Sequence, residues 1–383
     1  MSIQYEQTVF CELRNNYPTW KELSAYLESE EGGQFCIGEE KNDLCLIHYE
    51  KGTSNMNLPH SRWFRSVVWN TITNCPMCVA PPKATTTKFP YETMRDAAEH
   101  GIISQELVDG VMINCFKNVG EEQLYITTRS KLNATGNFYS SKSFRTLFIE
   151  CYTGNTIDPT AVEQVIQEQS HHFASPDKEK KEVAIFYSYV IQHVEHRIVQ
   201  PIECNRCVLI HKGIVYEDGR IHMEDGFPFA QSPYVLAAST QSIKALEFQV
   251  VLKDSTGNRW RYRSDKYMSI KSLRGNSPSI IDRFAQIYGQ NLIPNYLEYY
   301  PEEQVAFSHL LDKMTTIIQT IYQLYIDLHV RKCAGLIDKM YRSHLYALHG
   351  IYLSQKKRLT PLEVHMYLHK QPWQRIAFLL KHT

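Results

Sequence analysis

The chain contains the stretch Glu106-Leu107-Val108-Asp109-Gly110, followed directly by the apolar run Val111-Met112-Ile113-Asn114-Cys115-Phe116. The short apolar run predicts a β-strand of the core. The segment before it ends in an Asp-Gly pair, with Leu107 two residues ahead of the aspartate. An Asp-Gly pair alone specifies little, so its meaning depends on the segments on either side.

Length and composition indicate an ordinary globular protein. The chain has 383 residues, of which 43% are hydrophobic and 21% charged. This length predicts two or three domains, with enough chain to bury a core. Acidic and basic residues balance at 41 each. Acids nevertheless dominate residues 1–50, and bases dominate from Arg331 onward. Two interpretations of the basic end stay open, a surface that meets an anionic partner and a solvated helical surface.

The sequence gives no indication of a membrane or secretory location. Its first residues lack the basic and apolar regions of a signal peptide. No apolar run approaches the ~18 residues that a membrane span needs. Ten scattered cysteines are typical of reduced thiols. We expect a cytoplasmic protein with no membrane partner, in the host cytoplasm if the chain is viral.

The first three quarters of the chain predict an α+β fold. Short β-rich runs alternate with helical patterns. The predicted strands are Val67–Trp69, Gln123–Thr128 and Leu246–Leu252, the last joined by a turn at 254–258 to a partner strand at 259–263. The predicted helices are Pro18–Glu28, Pro90–His100 and Thr160–Gln169, and 174–181 is a predicted surface loop.

After about Pro301 the pattern becomes wholly helical. Apolar residues recur at helical spacing from Glu302 to Lys332, including Phe307, Leu311 and Ile321. Thr360-Pro361-Leu362-Glu363 predicts a helix start with a capping box. We therefore predict a first domain over residues 1–298 and an all-α C-terminal domain over 299–383.

Several motifs occur in a recognisable order around the Asp109-Gly110 pair. They are Arg65-Ser66-Val67-Val68-Trp69, Ala80-Pro81-Pro82-Lys83, Thr127-Thr128-Arg129-Ser130, Val199-Gln200-Pro201, Asn205-Arg206-Cys207-Val208-Leu209, Glu247 and Arg261-Tyr262-Arg263-Ser264-Asp265-Lys266-Tyr267. In this order they resemble the phage-type RNA ligase family over residues 60 to 290. The last motif, which matches Lys-x-Lys-Ser-Asp-x-Tyr, is the most specific. The resemblance implies a nucleotidyltransferase (ATP-grasp-like) domain of antiparallel sheets, followed by a helical domain, and the large DNA viruses and phages contain similar proteins.

The departures from the family pattern concern catalysis. An active ligase uses a lysine that attacks the α-phosphate of ATP, and Leu107 occupies that position. Arg197 occupies the place of the first carboxylate, with Glu195 and Glu203 nearby. Arg261 and Arg263 replace the closing lysines and keep their charge. The resemblance therefore predicts no catalytic residue, and it requires ATP and Mg²⁺ only if the protein is active.

The retained residues predict a cleft for nucleotide or RNA. The candidate binding residues are Arg65, Lys83, Asp109, Gly110, Arg129, Glu247, Arg261, Arg263 and Lys266. We expect a non-catalytic RNA-binding or assembly factor, with protein partners unspecified. Two alternatives stay open. One is an active ATP-dependent RNA ligase whose motifs are in another register, and the other is an interaction scaffold that binds no nucleic acid.

Two Cys-x-x-Cys pairs, Cys75/Cys78 and Cys204/Cys207, have the spacing of the two halves of a Cys₄ zinc site. The pairs lie far apart in the sequence and within predicted strands, where residues three apart point to opposite faces. Buried reduced thiols are the favoured interpretation, and zinc is the alternative.

Overall fold

The computed structural model describes residues 3–383 except 39, 86, 93, 155–178, 226–248, 334 and 336. The chain divides into two compact units, Met1–Met268 and Ser269–Thr383. The first unit combines antiparallel sheets with helices, and the second is helical. The expected α+β architecture with a helical C-terminal region is therefore confirmed at this level.

The first unit contains thirteen strands and four complete α-helices among its described residues. In chain order they are β1 Ile3–Gln7, α1 Val9–Asn16, α2 Trp20–Glu28, β2 Cys36–Ile37, β3 Leu44–His48, β4 Val67–Asn70, β5 Cys75–Val79, α3 Met94–Glu99, β6 Ile103–Glu106, β7 Val111–Asn118, β8 Leu124–Thr127, α4 Phe144–Thr153, β9 Glu182–Gln192, β10 Arg206–Tyr216, β11 Ile221–Asp225, β12 Val250–Lys253 and β13 Arg259–Tyr262.

These strands form three sheets, and every strand pair in them is antiparallel. The largest sheet has the order β1-β11-β10-β9-β7-β8, a second has the order β13-β12-β6, and a third has the order β2-β3-β4-β5. The strand after the Asp-Gly pair, β7, lies inside the largest sheet. There Ile113, Cys115 and Phe116 are fully buried, which explains why the run is apolar.

The helices that follow are α5 Asp265–Arg274, α6 Ile280–Tyr288, α7 Ile293–Tyr299, α8 Gln304–Tyr325, α9 Lys339–Gln355, α10 Pro361–His369 and α11 Trp373–His382. The predicted domain boundary at 298/299 falls inside the helical unit. The physical reason is aromatic packing, because Phe284 of α6 and Tyr296 of α7 both contact Phe307 of α8. The second unit therefore begins earlier than the sequence pattern indicated.

Most of the predicted elements that fall on described residues are present. β4, β8 and α2 occupy predicted segments, and β12 pairs with β13 as a hairpin. The helix predicted for 90–100 is confined to Met94–Glu99. Leu311 belongs to the apolar residues at helical spacing, but it is 38% exposed. The segments Thr160–Gln169 and 174–178, together with Leu246, Glu247 and Phe248, lie outside the described residues.

Candidate functional site

Two of the predicted binding cations meet at the ring of Tyr49, just beyond the end of β3. The Nη2 of Arg129 donates a hydrogen bond to the Tyr49 carbonyl oxygen at 2.6 Å. Its guanidinium carbon lies 4.3 Å from the centroid of the Tyr49 ring, and Lys83 Nζ lies 4.7 Å from it. Cations are attracted to the negative face of an aromatic ring at such distances. Tyr49 thus gathers two cations that are far apart in the sequence.

Arg65 belongs to the same group. Burial is the main cause that lowers its pKa, to about 10, and the charges of Arg259, Arg261 and Arg129 lower it further while Tyr49 acts in the opposite direction. The guanidinium remains charged at neutral pH, because a pKa of about 10 lies well above 7. We call Tyr49, Arg65, Lys83, Arg129 and Arg261 the Tyr49 cluster.

Arg261 is contributed by β13 and is exposed. Its pKa is lowered, first by partial desolvation and then by the neighbouring charge of Arg263. Among the residues that the structure describes, no carboxylate lies within salt-bridge distance of the four cations of the Tyr49 cluster. The cluster is therefore a site of concentrated and locally uncompensated positive charge.

Leu107 and Asp109 occupy different environments from those cations. Leu107 is half-buried, and its backbone N–H donates to the Gln249 carbonyl at 3.0 Å. Its side chain carries no group that could attack phosphorus. Leu107 is the residue at the position where the resemblance expects a nucleophile.

Asp109, which the sequence suggested as a binding residue, is buried and engaged internally. Its Oδ2 accepts hydrogen bonds from the backbone N–H groups of Val199 (2.9 Å) and Gln200 (3.1 Å). Its Oδ1 accepts from the hydroxyl of Tyr267 at 2.7 Å. Both oxygens are thus occupied by the protein itself, so Asp109 anchors the 199–200 loop and α5 and is not available to a ligand.

Gly110 has a packing role. A Cβ atom at this position would lie 2.2 Å from the carbonyl oxygen of Ile191 on β9. This close approach of two backbones is possible only without a side chain. The Asp-Gly pair therefore fixes how β7 enters the largest sheet.

The remaining predicted residues lie in separate surroundings. Arg263 donates from Nε to Gln249 Oε1 at 3.1 Å, and its guanidinium carbon lies 5.2 Å from the Tyr267 ring centroid. Lys266 is exposed in the first turn of α5. Arg197 donates to the carbonyl of Val199, and Glu195 pairs with Lys142 at 2.7 Å. Neither of these last two residues is placed in the Tyr49 cluster, and Glu247 lies outside the described residues.

A cavity of about 210 Å³ lies beside the segment that joins β6 to β7. Its lining includes Glu106, Val108, Gln200, Glu203 and Arg206. Leu107 lies between two of these lining residues in the sequence but does not itself line the cavity. The cavity brings Glu203 near the Asp-Gly segment, although Glu203 is distant in sequence.

The four cysteines of the proposed zinc half-sites have unlike environments. Cys75 and Cys78 are buried in β5, whereas Cys204 is exposed and Cys207 is half-buried. Burial raises the pKa of the Cys75 thiol to about 11 and raises that of Cys78 further. All ten cysteines are free. Within the described ranges, no group of three or more His, Cys, Asp or Glu side chains is arranged to hold a metal ion.

Sequence reasoning missed two residues that organise the site, Tyr49 and Arg259. Tyr49 lies in no motif, and only the fold brings it between Lys83 and Arg129. Arg259 precedes the closing motif by two residues and is buried. Its charge is the largest neighbouring influence on the pKa of Arg65. The one sequence feature that could have indicated Arg259 is the spacing of Arg259, Arg261 and Arg263, which occur two residues apart in and just after β13.

Comparisons with known proteins place the chain in no group. No protein-family model matches it. No curated protein matches it either. Over the described part of the chain, no helix combines the length and apolar character that crossing a bilayer requires.

Proposed function

We propose that this protein is a non-catalytic, RNA-ligase-like protein that binds RNA through the Tyr49 cluster. The observation that carries the proposal is the meeting of Arg65, Lys83, Arg129 and Arg261 with no carboxylate among the described residues close enough to pair with them. Like charges held together and partly desolvated are costly unless an anion offsets them. A chain of phosphates supplies several negative charges in sequence, which suits several cations in one place.

The proposal that the protein is not a ligase rests on Leu107. Nucleotidyl transfer through a covalent intermediate needs an amine at that position, and an isobutyl group cannot supply one. Arg261 and Arg263 retain positive charge, which supports binding without supporting catalysis. An RNA-binding or assembly role in the cytoplasm is consistent with ten free cysteines, since reducing compartments keep thiols unpaired.

Titration of a labelled single-stranded RNA, followed by fluorescence anisotropy at several salt concentrations, tests the binding proposal. We expect Lys83→Ala and Arg129→Ala each to weaken binding and to reduce the slope of log Kd against log salt by about 0.7, the loss of one phosphate contact. Lys21→Ala is the matched control, because it removes one exposed cation from α2, outside the cluster. A flat titration at low salt would contradict RNA binding and would leave the scaffold alternative.

The active-ligase alternative has a separate test. After incubation with radiolabelled ATP and Mg²⁺, we expect no covalent AMP adduct on the protein. Denaturing electrophoresis followed by mass spectrometry measures this directly. An adduct on any side chain would establish nucleotidyl transfer and would overturn the non-catalytic assignment.

A further inference from the structure

A layer of charged and polar side chains lies buried inside the first unit, where two of its sheets are linked by an ion pair. His211 of β10 is directly opposite Asp225 of β11, and Lys253 of β12 is directly opposite Arg259 of β13. Directly opposed residues of antiparallel strands place their side chains on the same face of the sheet. Lys253 Nζ donates to Asp225 Oδ1, which joins the two pairs. All four side chains are buried.

Tyr5 of β1 completes this layer. It is opposite Met223, two residues from the Ile3–Asp225 pair, so it points to the same face as Asp225. The charges of Asp225 and Arg259 act on its hydroxyl, which places the three groups close together. We call Tyr5, His211, Asp225, Lys253 and Arg259 the interior cluster.

Several polar atoms of the interior cluster lack hydrogen-bond partners among the described residues. They are the Tyr5 hydroxyl oxygen, Arg259 Nη1 and both ring nitrogens of His211. Native proteins rarely leave buried donors in this condition, and such groups generally indicate a bound water or ion. Three unsatisfied side chains in one layer therefore indicate a bound species in contact with them.

The charge of the interior cluster indicates what that species is. Burial, the main cause, lowers the pKa of His211 to about 4, so this imidazole is neutral at pH 7. Burial also lowers the pKa of Lys253 to about 8, which leaves the ammonium largely protonated at pH 7. Lys253 and Arg259 then carry two positive charges against the single negative charge of Asp225. The charges of Arg62 and Asp254, which also act on Tyr5, are opposite in sign. The charge of Arg259 also acts on Arg65 of the Tyr49 cluster, so the local excess is positive.

We propose that one small inorganic anion, of the size of chloride or bromide, binds inside the first unit between Tyr5, His211 and Arg259. It accepts hydrogen bonds from the Tyr5 hydroxyl, from Arg259 Nη1 and from the protonated ring nitrogen of His211. A water molecule would satisfy the donors but would leave the positive excess uncompensated. An RNA phosphate does not suit the position, because the three side chains are buried while their neighbours Arg261 and Arg129 are exposed. The inference is independent of the proposed RNA binding.

Bromide substitution tests the site directly. The protein is crystallised in sodium bromide, and anomalous scattering is recorded at the bromine absorption edge. We expect an anomalous peak within hydrogen-bonding distance of Arg259 Nη1 and the Tyr5 hydroxyl. Density there without anomalous signal, or no density there at all, would show water or nothing and would overturn the proposal.

Thermal unfolding gives a second test in solution. At constant ionic strength, replacing sodium gluconate by sodium chloride should raise the Tm along a saturating curve, as expected for a ligand of the folded state. Tyr5→Phe removes one donor to the anion and should weaken the apparent chloride affinity about tenfold. Equal Tm values in the two salts would contradict the inference.

Tyr187→Phe provides the matched control. Tyr187 is also buried, and its hydroxyl has no hydrogen-bond partner in the described part of the chain, but it lies in a different hydrophobic core, on β9. Its substitution should leave the chloride dependence unchanged. If Tyr187→Phe and Tyr5→Phe reduced that dependence equally, the effect would be a general one and the site would be refuted. The RNA titration, performed in gluconate, is unaffected by any of these outcomes.

Discussion

At the scale of single residues, Asp109 has a structural role, although the motif that contains it predicts a binding role. The resemblance made it a candidate for nucleotide contact, whereas the folded chain uses both of its oxygens to hold other segments of the protein. A carboxylate that accepts several hydrogen bonds is well satisfied when buried, and it organises the groups that donate to it.

Tyr267→Phe tests this anchoring role. The substitution removes the hydroxyl that donates to Asp109 Oδ1 and leaves the ring in place. Because a hydrogen bond to a charged acceptor contributes about 2 kcal/mol, we expect the free energy of unfolding to fall by about that amount. Urea unfolding monitored by circular dichroism measures the change.

Tyr262→Phe is the matched control for that substitution. Tyr262 is half-buried on β13, and its hydroxyl has no hydrogen-bond partner among the described residues. We expect a change of less than about 0.5 kcal/mol at this position. Similar losses for the two variants would mean that the hydroxyl of Tyr267 does not stabilise Asp109.

At the scale of secondary-structure elements, the sequence was most informative where the chemistry is local. The capping box at Thr360 and Glu363 was predicted from four consecutive residues and is present, with both reciprocal hydrogen bonds formed. The β12–β13 hairpin was predicted from its turn residues and is also present. Both features depend on interactions between residues close together in the chain. A short stretch of sequence is therefore enough to predict them.

Thr360→Ala should destabilise α10. The substitution removes the hydroxyl that accepts from the Glu363 backbone N–H, and loss of such a cap costs about 1 kcal/mol. Thermal or urea unfolding measures the loss. Thr316→Ala is the control, because that hydroxyl donates to the Asp312 carbonyl within an already formed helix. Equal effects of the two variants would contradict a specific capping role.

Gly110→Ala tests the entry of β7 into the sheet. The added Cβ would meet the Ile191 carbonyl at 2.2 Å, so β7 and β9 must separate or distort. We expect a loss of about 3 kcal/mol, the upper range for overpacking, measured by urea unfolding. Gly350→Ala has the opposite expectation, since among the described residues no atom outside its own helical turn lies within 4 Å of the added Cβ, and alanine favours a helix by about 0.5–1 kcal/mol. A neutral Gly110→Ala would show that the two backbones are not held together here.

At the scale of the whole molecule, each unit contains a buried histidine that should make stability depend on pH. Burial, the first cause in both, lowers the pKa of His211 in the first unit and of His344 in the second to about 4. In the unfolded chain these groups bind a proton near pH 6.5. Between pH 6.5 and 4 the unfolded state therefore binds more protons, and stability falls as the pH falls.

Thermal unfolding between pH 7 and pH 5 should show this loss, on the order of 2 kcal/mol for each histidine at pH 5. His344→Gln should reduce the dependence, because glutamine near Tyr367 and Arg375 does not titrate. His382→Gln is the control, since that residue is exposed at the end of α11. Identical pH profiles for His344→Gln and the parent protein would contradict the assignment.

The local pattern of apolar, polar and turn residues determined which segments of this protein are strands and which are helices. The β-rich runs, the helical spacing after residue 301 and the capping box at Thr360 each act over a few residues, so the α+β fold with a helical C-terminal region followed from the sequence. Only the tertiary structure decided which cations meet. Lys83 and Arg129 come together at Tyr49, and the charge of Arg259 acts on Arg65, because the folded chain brings distant segments near one another. Likewise Asp109 became an internal anchor because Tyr267 and the 199–200 loop reach it. Contacts between residues far apart in the chain leave no periodic pattern in the sequence near either residue. For this reason no short stretch of sequence could predict them.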